Sequence, residues 1–242
     1  MNVTLSVNGL SVPVSFSDDE IEQVHLPILK QFAELHKKSK NQRTIIFLSA
    51  PPGTGKSTLT TFWEYLCQHD EYSTMQLPSI QTLPMDGFHH YNDWLEAHQL
   101  KSLKGAPETF DIIKLAKNIK EICQKDGTWP QYSRKLHNPI EHAITVTAPI
   151  VIIEGNWLLL NDPKWLALQP YCDLSIFIHA PEKLLTQRLI ARKVQGGLSL
   201  EKAEAFYLST DGPNVRKVLN ESRPADLMLE MDERSSYRFL QN

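Results

Sequence analysis

The segment SAPPGTGKST, which spans residues 49–58, constrains the fold more than any other part of the chain. It follows RTIIFL, an apolar run rich in β-branched residues, and it precedes LTTFWEYL, whose apolar residues have helical spacing. A strand, a glycine-rich loop and a helix in this order surround an anion with backbone N–H groups and the positive end of the helix. The segment therefore predicts a loop that binds the phosphates of a nucleotide.

Within this loop, the pattern of a small residue, four variable residues, Gly, Lys and Ser begins at Ala50. We expect Lys56 to reach the β- and γ-phosphates and Ser57 to bind Mg²⁺. A simple Gly/Pro turn is the alternative, but the intact GKS sequence between a strand and a helix favours nucleotide binding. The predicted nucleotide-binding residues are Pro51, Pro52, Gly53, Thr54, Gly55, Lys56, Ser57 and Thr58.

Short apolar runs alternate with helical patterns after the loop. The runs TIIFLSA, IQTLPMD, PIVIIEG and LSIFIHA are apolar at nearly every position, as in strands buried on both faces. This order predicts an α/β fold of the P-loop NTPase class, with a parallel sheet covered by helices on both faces. Helical patterns lie around 57–68, 109–123, 163–168, 181–194 and 199–209, and ADLMLEM fits a further strand.

The first 40 residues lie outside this alternation. Residues 3–16 alternate between apolar and polar side chains on either side of Asn8-Gly9, a pair typical of a type I′ turn, and so predict a β-hairpin. Ser17 is followed by three acidic residues, which predicts the start of a helix, and Pro27 marks a point where that helix could kink. We therefore divide the chain into an appendage, 1–40, and a phosphate-loop domain, 41–242.

Charge and cysteine content limit the classes of partner. A net charge of −3 argues against a dedicated nucleic-acid or membrane-surface binder. The three cysteines are far apart and form no CxxC pair, which fits a reduced cytoplasmic setting better than a disulfide framework. No apolar run approaches the roughly 20 residues of a membrane span, and the first residues lack a signal-peptide pattern. We expect a cytoplasmic protein that acts on a small molecule.

Acidic residues follow two of the predicted strands. Asp86 comes after IQTLPM and Glu154 comes near the end of PIVIIEG, so both are expected at the sheet edge where ligands bind. Asp86 could take a proton from an attacking hydroxyl or order Mg²⁺, and Glu154 could hold Mg²⁺ through water. A solvated strand-end acid is the alternative for each. His89 and His90 are adjacent and make a poor metal pair. His89 is a candidate substrate contact, and a solvent-exposed histidine is an equal alternative.

Arg188 and Arg192 are four residues apart in PEKLLTQRLIARKVQGGLS and share one face of a predicted helix. The Gly196-Gly197 pair then interrupts the helical pattern. Together they predict a lid around 186–198 that closes over a triphosphate, excludes water and neutralises the charge that develops during transfer. A solvated basic face is the alternative interpretation.

These motifs together resemble the P-loop kinases of the uridine kinase, phosphoribulokinase and type I pantothenate kinase superfamily. The resemblance runs over residues 44–231 and includes, in family order, APPGTGKST, MDGFHHYN, LKGAPETFD, WPQYSRKLHNP, IVIIEGNWLLL and QRLIARK. The whole chain is similar to a little-characterised bacterial branch of nucleoside-kinase-like or fructokinase-like proteins. By this resemblance, residues 41–242 form a P-loop kinase domain.

The resemblance implies an ATP- and Mg²⁺-dependent kinase that phosphorylates a hydroxyl of a small metabolite: a sugar, a pantothenate-like compound or a nucleoside. Asp86 matches the family's strand-end aspartate, taken as general base or Mg²⁺ partner. Tyr132 and His137 match a Tyr-x4-His pattern that contacts the acceptor in uridine kinases, and KGAPETFD is similar to a pantothenate-kinase segment near the acceptor pocket. Gly105 stands where uridine kinases carry an aspartate for the ribose hydroxyls, which weakens a nucleoside acceptor.

A nucleotide-dependent regulatory switch that binds a protein partner is a second hypothesis. The Tyr132 and His137 segment and the lid favour an enclosed small pocket instead, and a nucleic-acid kinase lacks its expected basic stripe. The segment STDGPNVRKVL fits a polar loop near the nucleotide, with Asp211 and Asn214 as donors or acceptors, and a helix-starting turn equally well. The sequence leaves the acceptor open, and also leaves open a homo-oligomer paired through the N-terminal hairpin.

Overall fold

The computed structural model describes residues 1–7, 9–69 and 77–240 of the chain. Its strands are β1 (Asn2–Val7), β2 (Leu10–Ser15), β3 (Thr44–Ser49), β4 (Ile80–Pro84), β5 (Gly127–Ser133), β6 (Asn138–Val146), β7 (Ile150–Gly155), β8 (Leu174–His179), β9 (Leu227–Met231) and β10 (Tyr237–Phe239). Its α-helices are α1 (Asp18–Glu20), α2 (Leu26–Lys38), α3 (Lys56–Gln68), α4 (Asn92–Ala97), α5 (Ile112–Ile122), α6 (Pro163–Leu166), α7 (Glu182–Gln195), α8 (Leu200–Phe206) and α9 (Gly212–Glu221). Within these ranges, no helix combines the length and apolar character that crossing a bilayer requires.

A six-stranded sheet in the order β10-β9-β8-β3-β7-β4 forms the centre of the fold. β4, β7, β3, β8 and β9 run parallel, and β10 pairs antiparallel with β9 at the edge. The predicted α/β class with its parallel sheet and N-terminal hairpin is thus confirmed, and ADLMLEM does contain a strand. β10 was not predicted from the sequence.

The sheet buries both of its faces, as the continuous apolar runs predicted. In β3, Ile46 and Leu48 pack with α2 and α3, whereas Ile45 and Phe47 pack with α5 on the opposite face. All four side chains are fully buried. Successive side chains along the strand enter the two cores in turn, which is why residues 45–48 are all apolar.

The N-terminal hairpin and helix pack into the core on the α3 side. β1 and β2 pair with Leu5 opposite Val12, while the predicted turn residue Asn8 lies outside the described residues. The Phe16 ring stacks on Phe62 of α3 with centroids 3.8 Å apart. The helix is interrupted by a π-helical turn, Ile21–His25, just before Pro27, which has no N–H to continue the α-helical pattern. The division of the chain at residue 40 stays a prediction.

A second antiparallel hairpin, formed by β5 and β6, stands apart from the central sheet. It was not predicted, because Pro130 and a bulge between Trp129 and Gln131 interrupt the alternation of its first strand. The Trp129 indole N–H donates to the Pro84 carbonyl oxygen at 2.9 Å and so fixes the hairpin beside the end of β4. A side chain at Gly87 would collide with the Pro130 carbonyl, so this close approach requires glycine.

Candidate active site

The loop between β3 and α3 has a fixed conformation that presents the start of α3. Gly55 precedes the helix with a left-handed φ of 78°, a region that favours glycine. The Thr54 hydroxyl donates to the Pro51 carbonyl at 3.0 Å, and the Tyr237 hydroxyl donates to the Thr54 carbonyl at 2.8 Å. The first N–H groups of α3 have no partner within the helix and are therefore free to bind an anion.

The side chains of Lys56 and Ser57 each contact a residue at the carboxyl end of β7, the strand next to β3. Lys56 Nζ donates to Asn156 Oδ1 at 2.7 Å, and Ser57 Oγ donates to Glu154 Oε1 at 2.7 Å. Burial raises the pKa of the Glu154 carboxyl; Lys56 opposes this shift, and the Asp86 charge reinforces it. These contacts bring together a cation, a hydroxyl and a carboxylate at the start of α3.

The hydroxyl of Ser57 and the carboxylate of Glu154 are oxygen ligands of the kind that Mg²⁺ prefers. In the described ranges, no group of three or more His, Cys, Asp or Glu side chains is placed to hold a metal alone. Two protein oxygens suit Mg²⁺ when phosphate oxygens and water complete its coordination. The residues present therefore fit a nucleotide-bound magnesium ion.

Asp86 lies in a 3₁₀ turn, Met85–Phe88, directly after β4. Its carboxylate is exposed, and its backbone carbonyl contacts His89 Nδ1 at 2.9 Å. His89 lies between two rings, with centroid distances of 3.9 Å to Phe110 and 5.1 Å to Tyr132. Burial raises the pKa of the Tyr132 hydroxyl and the charge of Asp86 adds to that shift, which places this tyrosine within electrostatic reach of Asp86.

One cavity of about 750 Å³ opens at the carboxyl ends of β3, β7 and β4. Gly9 of the N-terminal hairpin contributes to its wall, as do residues of the β5–β6 hairpin and of α7. The sequence-predicted site residues that line it are Pro52, Gly53, Lys56, Ser57, Asp86, His89, Tyr132, Glu154 and Arg192.

Comparison with individual known proteins shows which family the chain belongs to, although no protein family model matches it. It is 58% identical over 239 residues to "Uncharacterized protein YggC" of Escherichia coli strain K12, covering 99% of each chain. It is 28% identical to the pantothenate kinase of Sodalis glossinidius, covering 77% of this chain and 66% of that protein.

Among solved structures, the "putative fructose transport system kinase" from Silicibacter sp. TM1040 superposes with a TM-score of 0.78 at 31% identity. The match covers 85% of this chain and 98% of that one. The chain belongs to the P-loop kinases. Its 28% identity to a "putative uridine kinase" of Schizosaccharomyces pombe, over 76% of this chain and 83% of that protein, agrees with the resemblance that its motifs indicated.

Several predicted residues of this kinase lie outside the cavity lining. Arg188 donates to the Ser235 hydroxyl, and its guanidinium lies beside Gly55 of the phosphate loop rather than in the cavity lining. His137 is exposed in the β5–β6 turn with a left-handed φ of 51°, and its carbonyl oxygen, rather than its imidazole, contacts Lys104. Pro51, Thr54, Gly55 and Thr58 shape the loop without lining the cavity.

The kinase site also contains residues that were given no role from the sequence. Asn156 accepts a hydrogen bond from Lys56. It lies two residues after Glu154 in the motif IVIIEGNWLLL, and this position could have indicated from the sequence that it belongs to the site. By contrast, Asp211 and Asn214 were sequence-predicted candidates; both line the cavity, and their segment STDGPNVRKVL is helical. The residues around Tyr237 gave no indication of its contact with the loop, because that contact depends on the order of the strands in the sheet.

Proposed function

We propose that this protein is an ATP-dependent kinase that transfers the γ-phosphoryl group to a hydroxyl of a small metabolite. The observation that carries the proposal is the shared cavity of Lys56, Ser57, Glu154 and Asp86 at the ends of three neighbouring strands. It brings a phosphate-binding loop and a free carboxylate to the same space. Positioning and charge stabilisation are the main requirements of phosphoryl transfer.

At the nucleotide end, Lys56 and the backbone N–H groups of residues 51–58 bind the phosphates. Ser57 and Glu154 hold Mg²⁺, whose charge offsets that of the phosphates. Asn156 holds the Lys56 ammonium beside the end of β7 through their contact of 2.7 Å. Arg192 lines the cavity from α7, and with Arg188 it forms the proposed lid.

At the acceptor end, Asp86 orients the hydroxyl and accepts its proton as the oxygen bonds to the phosphorus atom. His89 and Tyr132 contact the acceptor beside this carboxylate, and we keep His137 as a candidate contact through its exposed side chain. The relatives' names differ, since one is a pantothenate kinase and another a "putative fructose transport system kinase". A sugar, a pantothenate-like compound and a nucleoside are therefore all within the proposed class.

The test is acceptor-dependent release of ADP, measured against a panel of sugars, nucleosides, hydroxy acids and vitamins. Asp86→Asn should lower kcat by about 10²–10⁴-fold, the range expected for losing a general base. Asp93→Asn is the matched control, because Asp93 is an exposed acid outside the cavity lining. Turnover that persists undiminished in Asp86→Asn would refute the role of Asp86.

A regulatory switch that binds a protein partner is the other outcome of this test. It would show strong ATP-dependent capture of a protein in a pull-down and no turnover with any acceptor. The β5–β6 hairpin is fixed beside the end of β4 and lines part of a cavity of about 750 Å³, a size that suits a small molecule. This cavity supports the kinase over the switch.

A further inference from the structure

The cavity is cationic, although the whole chain carries a net charge of −3. Its lining contains twice as many cationic as anionic side chains, so the positive charge is concentrated locally. Such a concentration inside a cleft attracts anions much more strongly than the same charges spread over the surface. The cationic residues are Lys56, Lys104, Arg134, Lys135, Arg192 and Lys193, and the anionic ones are Asp86, Glu154 and Asp211.

A nucleotide accounts for only part of this charge. Lys56 and Arg192 belong to the proposed phosphate site, and Lys193 lies 3.5 Å from the centre of the Phe206 ring and interacts with the carboxylate of Asp211. The other three cations, Lys104, Arg134 and Lys135, are on segments around Tyr132, at the proposed acceptor end.

Lys104 is held in place at this end by a braced loop. The Trp157 indole N–H donates to the Gly105 carbonyl at 2.9 Å, and the Gly105 N–H donates to the Thr109 hydroxyl at 3.1 Å. The Lys104 ammonium lies 5.1 Å from the centre of the Tyr132 ring. Its position is therefore set by the fold rather than by a flexible surface loop.

The contacts of Lys104 are with neutral oxygens. Nζ donates to Asn92 Oδ1 at 2.5 Å and to the His137 carbonyl at 2.6 Å, and its third N–H is available. Partial burial lowers the pKa of Lys104, and the charge of Lys101 lowers it further. No carboxylate in the described part of the chain forms an ion pair with Lys104, whereas Lys101 pairs with Glu96. A partly desolvated cation without a counterion is stabilised by binding an anion.

We infer that the acceptor carries an anionic group, a carboxylate or a phosphate, which Lys104 binds while the reacting hydroxyl lies at Asp86. His89 is near both, since it contacts the Asp86 backbone and interacts electrostatically with Lys104. Arg134 and Lys135 add attraction from the exposed β5–β6 turn. This inference rests on the proposed function and narrows it, because neutral sugars and nucleosides become poor substrates.

The experiment compares acceptors in pairs that differ in one anionic group. Ribose 5-phosphate with ribose tests a sugar phosphate, and glycerate with glycerol and pantothenate with pantothenol test a hydroxy acid. In at least one pair, kcat/KM of the anionic member should exceed that of the neutral member by about ten- to a hundredfold, the range for a charged hydrogen bond. The responding pair identifies carboxylate or phosphate.

Substitution of Lys104 tests the residue itself. Lys104→Met should raise KM for the preferred anionic acceptor about tenfold or more, leave KM for ATP unchanged and abolish the preference within the pair. Lys104→Arg should keep the preference. Lys101→Met is the matched control, because Lys101 is on the same loop, is 58% exposed and pairs with Glu96. Equal use of charged and neutral acceptors, or a preference that survives in Lys104→Met, overturns the inference.

A binding measurement separates failure of this inference from failure of the proposed function. The same acceptor pairs are titrated calorimetrically into the full-length protein with a non-hydrolysable ATP analogue. Binding of an anionic member that is lost in Lys104→Met and kept in Lys101→Met supports the anion site even when no acceptor is turned over, and only the kinase proposal then falls. Absence of any charge-dependent binding overturns the inference.

Discussion

The two ends of the cavity are built in different ways. At the nucleotide end, the Lys56 and Ser57 side chains each bond to a residue of another element, and Tyr237 braces the loop from the sheet edge. At the acceptor end, Arg134 and Lys135 are exposed in a turn, and Lys104 bonds to neutral oxygens. The nucleotide end is preorganised by the protein, whereas the acceptor end leaves charges for a ligand to satisfy.

This difference explains how the two halves of such an enzyme can vary independently. A triphosphate has one shape and charge, so fixed donors at a helix start serve every nucleotide. Acceptors differ, and discrimination among them depends on a few side chains whose hydrogen bonds or charges match one compound. We therefore expect substitutions at the nucleotide end to act through geometry, and those at the acceptor end to act through charge.

The largest loss of ATP-dependent turnover should come from Gly55→Ala. Alanine at the Gly55 φ of 78° costs about 1–2 kcal/mol, and its Cβ would lie 2.9 Å from the Tyr237 hydroxyl. A displaced loop should lower ATP-dependent turnover by about a hundredfold, as expected for a misplacement of about 1 Å. Steady-state kinetics and calorimetric ATP binding measure the change.

Gly55→Ala in a Tyr237→Phe background is the control for this prediction. Without the hydroxyl at 2.9 Å, the added Cβ keeps the backbone strain and loses the collision. Gly55→Ala should therefore weaken ATP binding less in this background than in the wild-type protein. If the loss is equal in both backgrounds, the loop does not depend on its contact with Tyr237, and the idea of a braced nucleotide end fails.

The phosphate loop could be predicted from the sequence because its parts are contiguous. Residues 49–58 contain the strand end, the loop and the helix start, and local sterics determine how they are arranged. The buried strands were also predictable, since burial on both faces leaves an uninterrupted apolar run. These features depend on neighbouring residues alone.

The braces and the acceptor end could not be predicted in this way. The Tyr237 hydroxyl donates to the Thr54 carbonyl, although the two residues are 183 positions apart in the sequence. The order of the strands in the sheet brings them together, and no local sequence pattern predicts that order. The β5–β6 hairpin has a bulge and a proline in place of clean alternation. Lys104 is one of many lysines in the sequence, and only its packing beside Tyr132 distinguishes it.

Tyr237→Phe should have an intermediate effect, on stability and on KM for ATP. The change removes the hydroxyl that donates to the Thr54 carbonyl at 2.8 Å and leaves that buried oxygen without its donor. Stability should fall by about 1–3 kcal/mol, and KM for ATP should rise severalfold while KM for the acceptor stays constant. Chemical denaturation and steady-state kinetics with both substrates measure these quantities.

Tyr91→Phe is the matched control at the acceptor end. Its hydroxyl donates to Glu141 at 2.8 Å, but in an exposed position, where water can replace the lost bond. We expect almost no change in stability or in KM for ATP. A loss as large as that of Tyr237→Phe would contradict the contrast between a buried contact at the nucleotide end and an exposed one at the acceptor end.

The smallest effect should come from Arg134→Ala, in the exposed turn at the acceptor end. Because solvent and salt screen an exposed charge, its loss should raise KM for an anionic acceptor by only about two- to fivefold. The effect should shrink further between 50 and 300 mM salt, whereas that of Lys104→Met should persist, since Lys104 is partly buried. KM for ATP should not change. A fall in kcat as large as that of Gly55→Ala would show that the turn is as rigidly built into the catalytic geometry as the phosphate loop, and the two ends would then differ in charge alone.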